Sequence, residues 1–251
     1  MSKLHPVAIQ LAIVAALVAV WEAASVTGAV DPRLLPSPGI VFRRMVELLA
    51  NPAILQDLGI TLAAIALAFV IVAPIGIGIG LLLAESAYFS KAFSGVFHFL
   101  AGVPKSVFLP LFILLFGISF SQKVAFGVFQ AIFVLVISTT AAVSSVQPEL
   151  VRLAKVNGAS RSVIYREIYW PSMLPLIIEG MRLGMIFNIA GVLFAEMYAS
   201  RSGFGAEIAN WGRNFDMPSL YAGVLIITIL SIVVNESLRL YERKVGKWRT
   251  S

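Results

Sequence analysis

The chain has 251 residues, of which 59% are hydrophobic and 13% charged, and a formal net charge of +6. Average soluble domains carry roughly 45–50% apolar and about 25% charged residues, so neither a soluble globule of this size nor a disordered chain fits. The lack of cysteine excludes disulfides, thiolate zinc sites and cysteine nucleophiles, and His5 and His98 stand too far apart in the chain for an H-E-x-x-H metal site.

What remains is an all-α, polytopic membrane protein. A spanning helix needs about 20 mostly apolar residues, and six such stretches can be read. The first is Pro6 to Val26. Its apolar run is long for a signal peptide, and Trp21 and Glu22 occupy the place of a small-residue cleavage site, so it reads as a retained helix. Leu35-Pro36-Ser37-Pro38 follows as a turn or extended lead-in, because each proline biases its predecessor away from helix. Ile40, Val41, Met45, Leu48 and Leu49 then fall near helical spacing with Arg43, Arg44 and Glu47 between them. That pattern predicts a short amphipathic helix along the membrane surface, either as a plain linker or as a dock for an outer partner.

The second span lies within Leu58–Ala84, which has no charge and contains Pro74, Gly76, Gly78 and Gly80. Small residues in such a span let helices approach closely. The third is interrupted by Pro104 and Pro110: a leader near Phe93 is expected, then a span over Ser106–Ile118, not necessarily as one straight helix. The fourth is Val124 to Val146, also uncharged.

Between the fourth and fifth spans runs QPELVRLAKVNGASRSVIYREIYWPSMLP, residues 147–175. Pro148 suits a first helical turn, and Glu149 suits its positive dipole end. Asn157-Gly158 is a strong stop, since both residues tolerate left-handed backbone. Ser160 can cap a second helix carrying Val163, Ile164 and Ile168, and Pro171 and Pro175 mark the approach to span five. The result is a helix, a tight glycine turn and a second helix: a small, partly apolar elbow suited to a groove on another protein. Tethering to two membrane spans argues against a DNA-binding helix-turn-helix, and a plain connecting loop is the other alternative.

The fifth span is Leu174–Met197, with Glu179 and Arg182 three residues apart inside it, and the sixth is Leu220–Asn235. Polar groups inside spans are candidates for a solute path. These are Asn188 in mid-span, Glu196 near the outer end, and Gln130, Ser138, Thr139 and Thr140 in span four, with interhelical hydrogen bonding as the alternative for each. Charge sets orientation. The tail has Arg239, Arg243, Lys244, Lys247 and Arg249 against Glu242, and the elbow has Arg152, Lys155, Arg161 and Arg166 against Glu149 and Glu167. Both basic regions should face the cytoplasm, with both termini inside. The segments after spans one and five carry balanced charge and belong outside.

The elbow resembles the cytoplasmic motif of ABC importer inner-membrane permeases: E-A-A, three residues, G, nine residues, I-x-L-P. Here the glycine is Gly158, continued by Ala159-Ser160-Arg161, and Ile168-Tyr169-Trp170-Pro171 closes the motif. The triplet falls on Arg152-Leu153-Ala154, so arginine and leucine replace its glutamate and first alanine, and Trp170 replaces its leucine. Leu35-Pro36-Ser37-Pro38, Pro74-Ile75-Gly76, the Val103–Ile118 block with its Phe116-Gly117-Ile118, Glu179-Gly180-Met181-Arg182-Leu183, Ala195-Glu196 and Ser202-Gly203-Phe204-Gly205 resemble further blocks of the taurine/sulfonate/nitrate subfamily, over about residues 6 to 248.

The resemblance implies a type I ABC importer permease fold in a bacterial inner membrane: a single permease domain over residues 1–251, with a coupling elbow at about 148–171. It implies a non-catalytic subunit without cofactor or metal. Its partners would be a cytoplasmic ATPase, a second permease copy (as a homodimer), an extracytoplasmic solute-binding protein and membrane lipid, with no nucleic acid. Arg152, Leu153, Ala154, Gly158, Ala159 and Ser160 would carry ATPase coupling. The absence of a G-x-x-x-x-G-K-[ST] loop fits a chain that leaves ATP to a partner. The expected solute is a small organic or inorganic anion or a vitamin-precursor-like molecule. An ion-driven secondary transporter is the rival, although no internal repeat is visible. A structural membrane subunit without ATPase is another, and a membrane-embedded enzyme lacks convergent catalytic groups.

Overall fold

The computed structural model describes residues 6–245. Helix α1 is Pro6–Val26, α2 Pro38–Leu49, α3 Pro52–Glu85, α4 Ala87–Gly102, α5 Leu109–Phe116, α6 Phe120–Ser144, α7 Pro148–Val156, α8 Arg161–Ile164, α9 Trp170–Ala199, α10 Phe204–Arg213 and α11 Met217–Val245. Helix starts follow local chemistry. Pro38 and Pro52 occupy first helical positions, and Asn51 accepts from the Ala53 amide at 3.0 Å. Ser119 accepts from the Gln122 amide to open α6 just after Gly117, at φ 66°, has closed α5.

Five helices are long and apolar enough to cross a membrane, and the pair α4 and α5, bent by 94°, is apolar enough only when taken together, as one broken span or a re-entrant loop. The sequence places the third span proper at Ser106–Ile118. In the structure α5 has only eight residues, about 12 Å at 1.5 Å per residue, too short to cross a membrane by itself. Val103 and Pro104 are extended and Lys105–Phe108 forms a 3-10 turn, which together make the bend. The expectation that Pro171 and Pro175 precede the fifth span is corrected. The helix runs from Arg161 to Ala199, and both prolines lie within it. A π turn over Tyr165–Tyr169 just ahead of Pro171 rearranges the ladder where a proline lacks its donor.

The core is α3, α6 and α9. Gly76 and Gly80 of α3 sit so close to α6 that an added Cβ would come within 2.7 Å of Leu135 and 2.5 Å of Thr139. Gly78 faces open space. Two of the three glycines in the stripe therefore serve helix approach.

α1 stands apart. Most of its surface is exposed, and it is pinned at one end, where the Trp21 indole donates to the Pro36 carbonyl at 2.9 Å and the Ser25 hydroxyl to the Leu35 carbonyl at 3.0 Å.

The elbow of α7 and α8 lies at one end of the helix bundle. At the other end sits a cap of α2 and α10. Helix α2 is amphipathic as the sequence implies, but it does not lie free along a surface. Val41 and Leu48 are buried against Phe204, Ile208, Trp211, Ala222 and Ile226. Sequence reading overlooked α10, although Phe204, Ile208 and Trp211 follow i, i+4, i+7 spacing.

Candidate functional site

The elbow is built by short-range rules. Helix α7 closes in a Schellman turn: the Gly158 amide donates to the Lys155 carbonyl at 3.1 Å and the Ala159 amide to the Ala154 carbonyl at 3.0 Å. Gly158 has φ +75°, and nothing lies within 4 Å of where its Cβ would be. Ser160 then accepts from the Val163 amide and caps α8, which continues through the π turn into α9. The second arm is thus the first turn of the fifth span rather than a separate helix. Tyr165 donates to Glu85 at the end of α3 and stacks on Tyr169, with ring centroids 5.3 Å apart.

The six sequence-selected residues lie together on this turn. Arg152, Leu153, Gly158 and Ser160 are exposed, and Ala154 and Ala159 are half-buried. The apolar side chains are unusually open, Leu153 at 62% and Val156 at 85%. Leu150, Leu153, Ala154, Asn157 and Ile168 help to line an open cleft of about 390 Å³ between the two arms. Trp170, in place of the motif leucine, is exposed beside it.

The opposite end carries a polar lock that sequence reading did not assemble. Glu196 is fully buried and ion-paired to Lys123 at 3.1 Å, the lysine side chain being 3% exposed. The Thr61 hydroxyl donates to Glu196 at 2.7 Å and accepts from the Phe204 amide at 2.8 Å. The Gly205 amide donates to Glu196 at 2.9 Å, Lys123 donates to the Ser202 carbonyl at 2.6 Å, and the Gly203 amide donates to Asp57. Gly203 has φ +98°, and a Cβ there would lie 2.1 Å from Glu196 Oε1. The lock thereby ties α3, α6 and α9 to the 200–205 turn. In the sequence Lys123 stands directly before the Val124–Val146 stretch. The available signal was one cation and one anion near the same ends of two adjacent spans.

The path candidates are distributed, not gathered around one cavity. Asn188 is fully buried; its amide donates to the Ile65 carbonyl at 2.8 Å and its Oδ1 packs where a Gly127 Cβ would stand. Thr139 packs against Gly80, and Gln130, 9% exposed, against Gly191. Ser138 faces Gly180 in the same way, and Thr140 donates to the Gly80 and Val136 carbonyls. Of the two charged groups noted in span five, Glu179 is exposed and Arg182 donates to Asn235 at 3.0 Å. In this conformation these polar groups join helices.

Outside the spans, α2 carries an ion-pair cluster in which Glu47 meets Arg43 at 3.3 Å and Arg44 at 3.0 Å. The hydrogen bond from Arg44 holds the Glu47 carboxyl below its ordinary pKa, assisted by the charges of Arg44 and Arg43 and opposed by desolvation.

Residues 76–247 match the family described as binding-protein-dependent transport system inner membrane component. The chain is 29% identical over 230 residues to a probable ABC transporter permease protein of Brucella abortus, covering 91% of this chain and 90% of that one. It is 28% identical over 237 residues to a putative aliphatic sulfonates transport permease protein of Bacillus subtilis, covering 94% and 86%. Its fold is similar to a solved chain of the MetNI methionine ABC transporter in an inward-facing conformation, with a TM-score of 0.64 and 17% identity, covering 80% of this chain and 97% of that one.

Proposed function

Because the chain belongs to the family of binding-protein-dependent transport system inner membrane components, the multi-pass inner-membrane permeases of ABC importers, we propose that its 148–171 elbow docks in a groove of a cytoplasmic ATPase. The observation that carries this reading is an apolar tip left open on a fixed turn. Leu153 and Val156 point away from the body while the Schellman turn and the Ser160 cap hold the backbone. Exposed apolar groups on a preorganised element bind with little ordering cost.

Arg152, Leu153, Ala154, Gly158, Ala159 and Ser160 form the coupling site. Arg152, in the place of the motif glutamate, presents a cation to the partner. Movement of the elbow reaches the membrane directly, because α8 and the π turn continue into α9, which packs on α6 and α3. Two copies of this single-domain chain form the path, both termini lie in the cytoplasm, and the capped end receives a solute-binding protein. The solute is a small organic or inorganic anion or a vitamin-precursor-like molecule, and the name of the Bacillus subtilis relative supports the anion.

The test is purification of the tagged chain from its native membranes in mild detergent, with mass spectrometry of its companions. Recovery of a phosphate-loop ATPase at about one copy per permease is expected. Repeated recovery of the chain alone, also with ATP-trapping additives present, would overturn the reading.

A further inference from the structure

Lys105, Lys123 and Arg182 lie within the apolar helices or their breaks, and they are handled differently. Lys123 is neutralised by Glu196, and Arg182 donates to Asn235. Lys105 has no carboxylate partner among the described residues, yet it is only 8% exposed. Its ammonium donates to the Ala101 carbonyl at 3.1 Å and stands 5.8 Å from the ring centroid of Phe133 and 5.6 Å from that of Phe187. An ammonium has three donors, and here a single oxygen accepts from it.

Position sharpens the anomaly. Lys105 follows Pro104 at the 94° bend between α4 and α5, and both rings come from the middle of the long apolar helices α6 and α9. Irregular backbone at membrane depth is tolerated where protein covers it or where it lines a watery cavity. A bare cation there is costly, and two ring faces offset that cost only in part. Phe187 of α9 is 39% exposed, so the ring beside the ammonium is partly open. A separate open cleft of about 320 Å³, lined by Ser106, Val107, Leu109, Pro110, Phe194 and Tyr198, begins one residue along the chain and does not include the ammonium.

We propose that Lys105 is the solute-contacting cation of the translocation path, taking the carboxylate or sulfonate group of a small organic anion, with Phe187 and Phe133 flanking the anion's apolar part. This rests on the permease reading and narrows its solute class to oxyanions. The Ala101 carbonyl holds the lysine stem in place while two donors stay available, and the Phe187 ring turns aside to admit the anion.

The test uses the full chain with its co-purified ATPase, reconstituted in liposomes. The chain has no cysteine, so Phe187→Cys gives it a single thiol. The probes are two small thiol reagents, sulfonatoethyl methanethiosulfonate (an anion) and trimethylammonioethyl methanethiosulfonate (a cation), with adducts read by the mass of the permease. With Lys105 present, the ratio of anionic to cationic reaction rates should be about tenfold higher than in Lys105→Gln, as one uncompensated charge about 6 Å away would produce. Lys105→Arg should keep the high ratio, and Lys105→Met substitutes if the glutamine variant does not assemble. A thiol that neither reagent reaches in any nucleotide state overturns the proposal. So does an anion-to-cation preference that is absent with Lys105 in place or unchanged when it is replaced. Loss of the ATPase at purification is scored before labelling and would break the permease reading instead.

Discussion

The elbow and the capped end are built on opposite plans. The elbow is held by contacts between near neighbours in sequence, Gly158 to Lys155, Ala159 to Ala154 and Val163 to Ser160, and it leaves apolar side chains in the open. The polar lock at the capped end is held by contacts between distant segments, Thr61 to Glu196 and Lys123 to Ser202, and encloses the Lys123–Glu196 ion pair. Each contains a glycine at positive φ. At Gly158 a Cβ would meet nothing, whereas at Gly203 it would run into Glu196. The difference teaches that left-handed backbone alone does not define a glycine's task. One glycine shapes a surface for a partner, and the other makes room for a buried carboxylate.

Substitutions can break this contrast. The largest effect is expected from Glu196→Ala, which leaves Lys123 buried without its counter-charge. A loss of about 3–5 kcal/mol is expected, read as a lower unfolding midpoint of the detergent-solubilised permease. Replacing both partners, as in Lys123→Met with Glu196→Leu, should recover much of that loss. Gly203→Ala comes next: it should exceed the roughly 1–2 kcal/mol of a left-handed alanine, because Glu196 must also move. Gly158→Ala should show only that backbone strain, about 1–2 kcal/mol, confined to faster amide exchange in the elbow.

Leu153→Asp sharpens the contrast further. It lies at an open tip, so stability should change by no more than about 0.5 kcal/mol. Recovery of the ATPase in pull-downs should nevertheless fall sharply, which the lock variants cannot mimic without unfolding. The smallest effect belongs to Glu47. Its carboxyl is held low in the folded state, so its contribution is present above the ordinary carboxylate range and fades as pH falls through the depressed value. Glu47→Gln should slightly flatten the acid limb of the stability curve, and high salt should erase the difference.

Legibility in the sequence follows the same division. The elbow was readable because Pro148, Asn157-Gly158 and Ser160 act within a few residues of themselves. The apolar spans were readable from composition. Lys123 and Glu196 are 73 positions apart, and no local rule pairs them. The bend at Pro104 was foreseen as an interruption, but its 94° angle depends on how α4 and α5 pack, which proline alone does not dictate. The α9 prolines misled in the other direction, since the π turn absorbs what would otherwise stop a helix. Asn188 and Thr139 are path candidates by polarity. Their burial depends on Gly127 and Gly80, which belong to neighbouring helices.

The most direct test of the division between a docking end and a locked end is hydrogen exchange, followed by mass spectrometry, on the permease alone and with its ATPase bound. The expected result is slow exchange around residues 196–205 in both samples, and elbow amides at 148–164 that become slow only when the ATPase is present. Elbow amides equally slow in both, or slowed at the capped end instead, would contradict it.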